Sequence, residues 1–342
     1  MLPHSLFIFN ETMFGRRHKG TRYLFSLSVD LDEIPNYFKI HGLTAPEGAA
    51  NAVYDVAVDR LKDLARGLGV PLTMFTVASD LERPEAAAKL RACREVGFEI
   101  ANHSLDHRYD LTRLSRDDMR AQVKGGADVI ERAVGERPVG FRAPGYTIND
   151  DVFRVLSEEG VEYDSSVFPC PAYFAAKTAA ISMIAARGRT SQSVIDTPFV
   201  LLAPTEPYNI GTPYYTRGDG MLEMPVQVTR GPKLPFIGTS VTAAGPRGAR
   251  ALARMCKGLT FVNLELHGID LLDASDGLED LRPYQMDVRI PKQRKIDAIE
   301  QACLAFLDDG YAPVTMREAA EHFKAQKDYK TVPTAGGSRR FA

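Results

Sequence analysis

The 342 residues carry 42 Lys and Arg against 44 Asp and Glu, a formal charge of −2 that excludes a general pull toward nucleic acid. Hydrophobic content of 44% and charged content of 25% belong to a globular chain with a real core, in one large domain or two ordinary ones. Four scattered cysteines, Cys93, Cys170, Cys256 and Cys303, form no Cys-x2-Cys pair; they argue against a disulfide framework or structural zinc motif and suit a reducing compartment.

The chain starts on a short apolar run, Met1-Leu-Pro-His-Ser-Leu-Phe-Ile-Phe, with Arg16, Arg17 and Lys19 behind it. It lacks the basic front and small-residue cleavage site of a signal peptide, and no apolar run in the chain is long enough to span a bilayer. Residues 1–20 therefore read as an arm, and a cytoplasmic protein is expected. The basic stretch behind an apolar start is compatible with peripheral membrane contact.

Residues 23–29 form a strand that ends in Asp30-Leu31-Asp32. Val53, Val56, Ala57, Leu61, Leu64 and Leu68 recur at helical spacing, so residues 49–68 are a helix closed by Gly69. Residues 70–77 are the next strand, and a helix from Pro84 to Val96 follows with Pro at a permitted early position. A strand over 98–101 leads into Asn102-His103-Ser104-Leu105-Asp106-His107. Two histidines four apart are expected on one side of a helical turn.

Ser115 caps a helix running to about Val134, with Asp117 and Asp118 in its first turn. Residues 138–141 are a strand delivering Arg142, Asn149 caps a helix to Glu159, and a strand ends at Asp164. This alternation predicts parallel βα units. The rhythm fails over residues 168–220, resumes as strands over 221–229 and 259–266, and fails again over 269–290. Long excursions in a compact domain are usually functional. A helix over 292–309 closed by Gly310, a strand over 312–315 and a helix over 316–323 complete the pattern, and 324–342 reads as a polar, basic, disordered tail. About seven or eight βα units without internal repeat predict a (β/α) barrel.

Asp30/Asp32, His103/His107, Arg142, Asp164 and His267 all fall at strand C-terminal ends, which a barrel gathers on one face. Two histidines and a carboxylate are a ligand set for zinc or iron(II) that leaves positions open. Either aspartate would serve as the ligand, leaving the other free as a base. Arg142 in Phe-Arg-Ala-Pro-Gly would hold a carboxylate in a fixed fork. His267 in Leu-Glu-Leu-His-Gly would meet substrate from the side opposite the base. Met74 and Met286 read as core.

The order Asp-x-Asp, His-Ser-x-x-His, Arg-x-Pro-Gly, Tyr-Asp-Ser-Ser and Leu-x-Leu-His-Gly resembles the polysaccharide deacetylase, or NodB-homology, family over residues 23–323. It is similar to the Asp-x-Asp branch, which includes peptidoglycan deacetylase-like proteins and lipid-linked aminoarabinose deformylases. The resemblance implies a distorted (β/α)7 barrel over residues 21–323, with insertions at about 168–220 and 269–290, and one divalent metal, usually Zn2+. It implies Asp30 as catalytic base, Asp32, His103 and His107 as metal ligands, Arg142 as partner of the base, the Gly145 N–H at the oxyanion and His267 as general acid. Asp164 is the candidate to tune His267. The chain has no tryptophan, so Tyr146, Phe168, Tyr163 or an insertion residue is expected at the acyl group.

The expected activity is hydrolysis of the amide of an N-acylated amino sugar, releasing acetate or formate. The partners are that sugar, free or linked to a lipid or nucleotide, and no nucleic acid. Apolar insertion residues such as Ile181, Met183, Phe199 and Leu202 would cover a lipid tail or a second copy of the chain in a homo-oligomer. Two alternatives compete. An allantoinase-like hydrolase of another C–N bond would not need the complete Asp/His/His set. An inactive sugar-binding relative would be expected to have lost Asp30 or His267.

Overall fold

A computed structural model describes residues 23–46 and 51–330. In chain order, β1 (Leu24–Asp30) and the short α1 (Ile34–Ile40) lead through a π-helical turn at Val53–Ala57 into α2 (Val58–Leu68). Next come β2 (Leu72–Thr76), α3 (Pro84–Glu95), β3 (Glu99–Asn102), α4 (Arg116–Val134), β4 (Gly140–Phe141), α5 (Asp150–Glu158) and β5 (Tyr163–Asp164). The first excursion holds α6 (Pro171–Ala186), β6 (Tyr208–Ile210) and most of β7 (Arg217–Glu223). The chain ends in α7 (Gly238–Met255), β8 (Phe261–His267), α8 (Lys292–Leu307), β9 (Ala312–Pro313) and α9 (Met316–Lys330). The arm expected over 1–20 and residues 331–342 of the expected tail lie outside the described residues, and residues 324–330 continue α9 as helix.

The strands run β6-β7-β5-β4-β3-β2-β1-β8, with β9 beside the start of β1. All neighbours pair in parallel except β6 with β7. The result is an α/β fold on a curled sheet of seven parallel strands, with β6 and β9 added. Among the described residues no strand pairing joins β8 to β7. Residues after β7 bridge the gap instead, with Ile237 against Glu265 of β8.

β1 is buried throughout, and its side chains alternate. Phe25, Leu27 and Val29 enter the main core with residues of α2, α3, α7 and α8, while Ser28 and Asp30 turn to Arg142 inside the curl. The helix ends follow local chemistry. Ser115 Oγ accepts from Asp118 N at 3.2 Å and Asn149 Oδ1 from Val152 N at 3.0 Å, while Gly69 closes α2 at φ 66°.

Three helices were not expected. α1 is only 7 residues long. α6 is almost all alanine and other uncharged residues and buries only Ile184, so it carries no amphipathic period. α7 contains Gly245 at φ 67° followed by Pro246, which interrupts any helical signal. Met286, expected in the core, is 68% exposed; Met74 is fully buried. Both excursions leave from the C-terminal ends of strands, β5 and β8. Among the described residues no helix is long and apolar enough to cross a membrane.

Candidate active site

The histidine pair does not sit on a helical turn. β3 ends at Asn102, and the following loop places two residues in the left-handed region, Ser104 at φ 71° and His107 at φ 57°. Ser104 Oγ accepts the His107 N–H at 3.1 Å, and the Ser104 and Leu105 carbonyls accept from Ala78 and Ser79. α4 lies close against this loop, because a Cβ on Gly126 would come 2.7 Å from Asn102 Oδ1 and 3.0 Å from the Ser104 carbonyl carbon. Backbone strain concentrated at one buried loop is characteristic of a functional site.

The loop turns both rings toward Asp32. His103 Nε2 and His107 Nε2 each lie 3.2 Å from Asp32 Oδ1. None of these three atoms has a hydrogen-bond partner, although all three residues are buried. Ligand atoms about 2.0–2.1 Å from zinc at tetrahedral angles are about 3.3–3.4 Å apart, so the spacing fits a metal. His103 Nδ1 is 2.7 Å from the Arg142 carbonyl, which only accepts, so Nδ1 carries a proton and a neutral ring would present its lone pair at Nε2. Buried orphan donors and acceptors of this kind are expensive unless something joins them. The Asp32 carboxylate is penalised by burial, but the two imidazoles outweigh this and hold its pKa well below the usual value.

Asp30, two residues earlier, is held apart from this set. Arg142 Nη1 donates to Asp30 Oδ1 at 2.6 Å. The rest of the guanidinium is also engaged: Nη2 with Ser28 Oγ and Ser165 Oγ, Nε with the Ser165 carbonyl, and its face over the Phe75 ring at 3.9 Å. Burial raises the pKa of Asp30, with Arg142 opposing it.

The parallel register of β1 and β8 sets Asp30 beside His267 and Ser28 beside Glu265. His267 Nδ1 lies 3.1 Å from Glu265 Oε1, and His267 Nε2 lies 3.8 Å from Asp32 Oδ2. Burial opposes the imidazolium, but Glu265 outweighs it and holds the ring well above the usual histidine pKa. Asp270 Oδ2 also accepts the His267 backbone N–H at 2.9 Å. Asp30, Glu265 and His267 meet the spacing of a second ligand group, yet Arg142 and the His267 ring already neutralise its carboxylates.

The expectation that Asp164 tunes His267 gives way to Glu265. Asp164 accepts from Ser166 N and Ser166 Oγ and shares its surroundings with Glu223, and burial raises it to about 6. Ser166 Oγ in turn accepts the Ala143 N–H at 2.8 Å, so Asp164 supports the loop that carries Arg142 and Gly145. Glu265 was missed although it had a signal: it sits two residues before His267 on the same strand face, a lone charge in an apolar strand. Glu265→Gln leaves the half-buried ring without its anionic partner. The His267 pKa should fall, and the alkaline limb of any pH–rate profile should move to lower pH; a limb that stays in place would separate Glu265 from His267.

Tyr163 does not reach the site, because its hydroxyl donates to Glu99 Oε1 at 2.8 Å, at the opposite end of β3 from the histidine loop. The aromatic wall is built instead by Tyr146, Phe168 and Tyr173 of α6, with ring centroids 5.6, 5.9 and 4.6 Å apart. Tyr146 meets the His267 ring at 6.1 Å. Gly145, at φ 63°, precedes it in a tight turn whose conformation favours glycine.

The sequence model of the polysaccharide deacetylase family matches residues 41–163, which include both histidines and Arg142. Over that stretch the chain is similar to the polysaccharide deacetylase family. The chain is 31% identical over 130 residues to a peptidoglycan-N-acetylglucosamine deacetylase of Bacillus cereus, covering 38% of this chain and 57% of that one. It is 28% identical over 172 residues to the peptidoglycan deacetylase-like protein FGM2 of Gibberella zeae, covering 48% and 50%. The chain therefore spans about half the length of the curated relatives it matches. Its fold is similar to that of a Mycobacterium smegmatis crystal structure assigned as a polysaccharide deacetylase, with a TM-score of 0.56 and 20% identity over 90% of this chain and 92% of that one. At that identity the likeness concerns the fold alone.

Proposed function

We propose that the protein is a metal-dependent N-deacylase that hydrolyses the amide of an N-acylated amino sugar to a free amine and acetate or formate. The observation that carries this reading is the division of labour among buried charges. Asp32 lies between two imidazoles, while Asp30 is held apart by Arg142 and His267 by Glu265. Asp32, His103 and His107 would hold the ion, and this N,N,O set suits Zn2+. A bound divalent metal supplies a Lewis acid for the acyl oxygen and for water.

The chain's own groups account for the proton transfers. Asp30 takes a proton from the attacking water as its oxygen bonds to the carbonyl carbon. The Gly145 N–H donates to the oxygen on which negative charge develops. His267, held as imidazolium by Glu265, gives a proton to the nitrogen as the C–N bond breaks. Arg142 keeps Asp30 oriented and compensates its charge in a site where an unpaired carboxylate would be costly. Tyr146, which meets the His267 ring, and Phe168 beside it would face the acyl group in place of a tryptophan.

The substrate is proposed to be a soluble, nucleotide-linked or lipid-linked precursor, and the compartment the cytoplasm. Four buried cysteines, all free, agree with a reducing environment. Fold alone does not choose among C–N bonds, so the test is mass spectrometry of a panel. The panel comprises N-acetylated and N-formylated sugars, free and carrier-linked, together with allantoin. Loss of one acetyl or formyl mass from a sugar is expected. Opening of allantoin with no sugar deacylated would replace this reading with the allantoinase-like one.

A further inference from the structure

The loop over residues 142–147 is pinned at successive backbone groups. The Arg142 carbonyl meets His103 Nδ1, the Ala143 N–H meets Ser166 Oγ, and the Tyr146 N–H meets the Ala143 carbonyl. The Gly145 carbonyl is held from outside the matched family region. Lys177, on α6 of the first excursion, places Nζ 2.8 Å from Gly145 O and 3.4 Å from Thr147 Oγ1.

We propose that Lys177 is a positioning residue that holds the 142–147 loop, and through it the Gly145 N–H, against the reacting carbonyl. This rests on the deacylation reading above. Four features support it. Lys177 is the one cation among the residues lining a small cavity with Tyr146, Phe168 and Tyr173, and its Nζ lies 5.8 Å from the Tyr173 ring centroid. Asp196, lining the same cavity, counters its charge. Burial lowers the Lys177 pKa to about 8, so the ammonium form persists at neutral pH and its donors stay available. The turn it grips has little other freedom to relax, because Tyr109 packs on the Gly145 side, 3.1 Å from where a Cβ would lie. Misplacing an oxyanion donor acts on turnover rather than on substrate affinity.

The test pairs kinetics with a local probe. In metal-loaded protein, Lys177→Met should lower kcat about tenfold to a hundredfold, with KM within about twofold of wild type, and Lys177→Arg should restore most of the loss. In protein labelled with 15N-glycine, the Gly145 amide resonance, assigned by its disappearance in Gly145→Ala, should shift and broaden in Lys177→Met while the other glycine signals hold. Met keeps an apolar stem of similar length, so the melting temperature should change little. An unmoved Gly145 resonance would overturn the inference, and so would a fall in kcat matched by lost thermal stability and not restored by arginine. A wild type inactive on every sugar would count against deacylation, and the Gly145 resonance would still decide the role of Lys177.

Discussion

Replacing His267 with alanine is expected to cost about a hundredfold or more in turnover, the usual scale for a general acid, while metal content stays at the wild-type level. His267 stands on the other side of Asp30 from Arg142 and is not among the three atoms that converge on one point. Glu265 holds its proton against the cost of burial, so the ring loses it above the ordinary histidine range. Activity that needs the imidazolium should therefore fall on the alkaline side, with the acid limb set by groups that must be ionised, Asp30 among them. The alanine variant should lose the alkaline limb. A purely structural histidine would lower the melting temperature and leave the shape of the profile alone. Near-normal turnover with an unchanged alkaline limb would remove His267 from the chemistry.

Asp30→Asn should be as damaging, by about a hundredfold to ten-thousandfold, for a different reason. The asparagine oxygen can still accept from Arg142 Nη1, so the geometry around 2.6 Å can persist. What is lost is the capacity to take a proton from water. The substitution also leaves the fully buried Arg142 without its closest counter-charge. Breaking such a pair typically costs about 3–5 kcal/mol, and Glu265 nearby should soften that. Turnover should therefore be measured well below a somewhat lowered melting temperature. Retained turnover in the folded, metal-loaded variant would rule out Asp30 as the base.

Much of this arrangement was legible in the chain because strands impose simple rules. Charged residues at the ends of apolar runs mark strand C-termini, and a parallel sheet brings those ends together. That is how Asp30, Asp32, His103, Arg142 and His267 could be grouped from the sequence. The same period of two should have drawn attention to Glu265, but an aspartate in a neighbouring motif, Asp164, was more conspicuous. The path of the histidine loop was not legible. A spacing of four is helical in general, whereas here two left-handed residues do the work, and Ser104 at φ 71° has no glycine to announce it. Nor was α6, since a helix that fully buries only Ile184 leaves no periodic trace. Its contribution to the site, through Tyr173 and Lys177, is a matter of where the excursion folds back, and that depends on tertiary contacts.

The most direct test is elemental analysis of purified wild type, His103→Ala, Asp32→Asn and Asp30→Asn after equilibration with zinc and removal of free ion. Asp32, His103 and His107 as the metal centre predict one equivalent in wild type and in Asp30→Asn, and a sharp loss in His103→Ala and Asp32→Asn. Equal metal in wild type and His103→Ala would contradict the centre itself. Loss in Asp30→Asn with retention in Asp32→Asn would show that the two aspartates have exchanged roles.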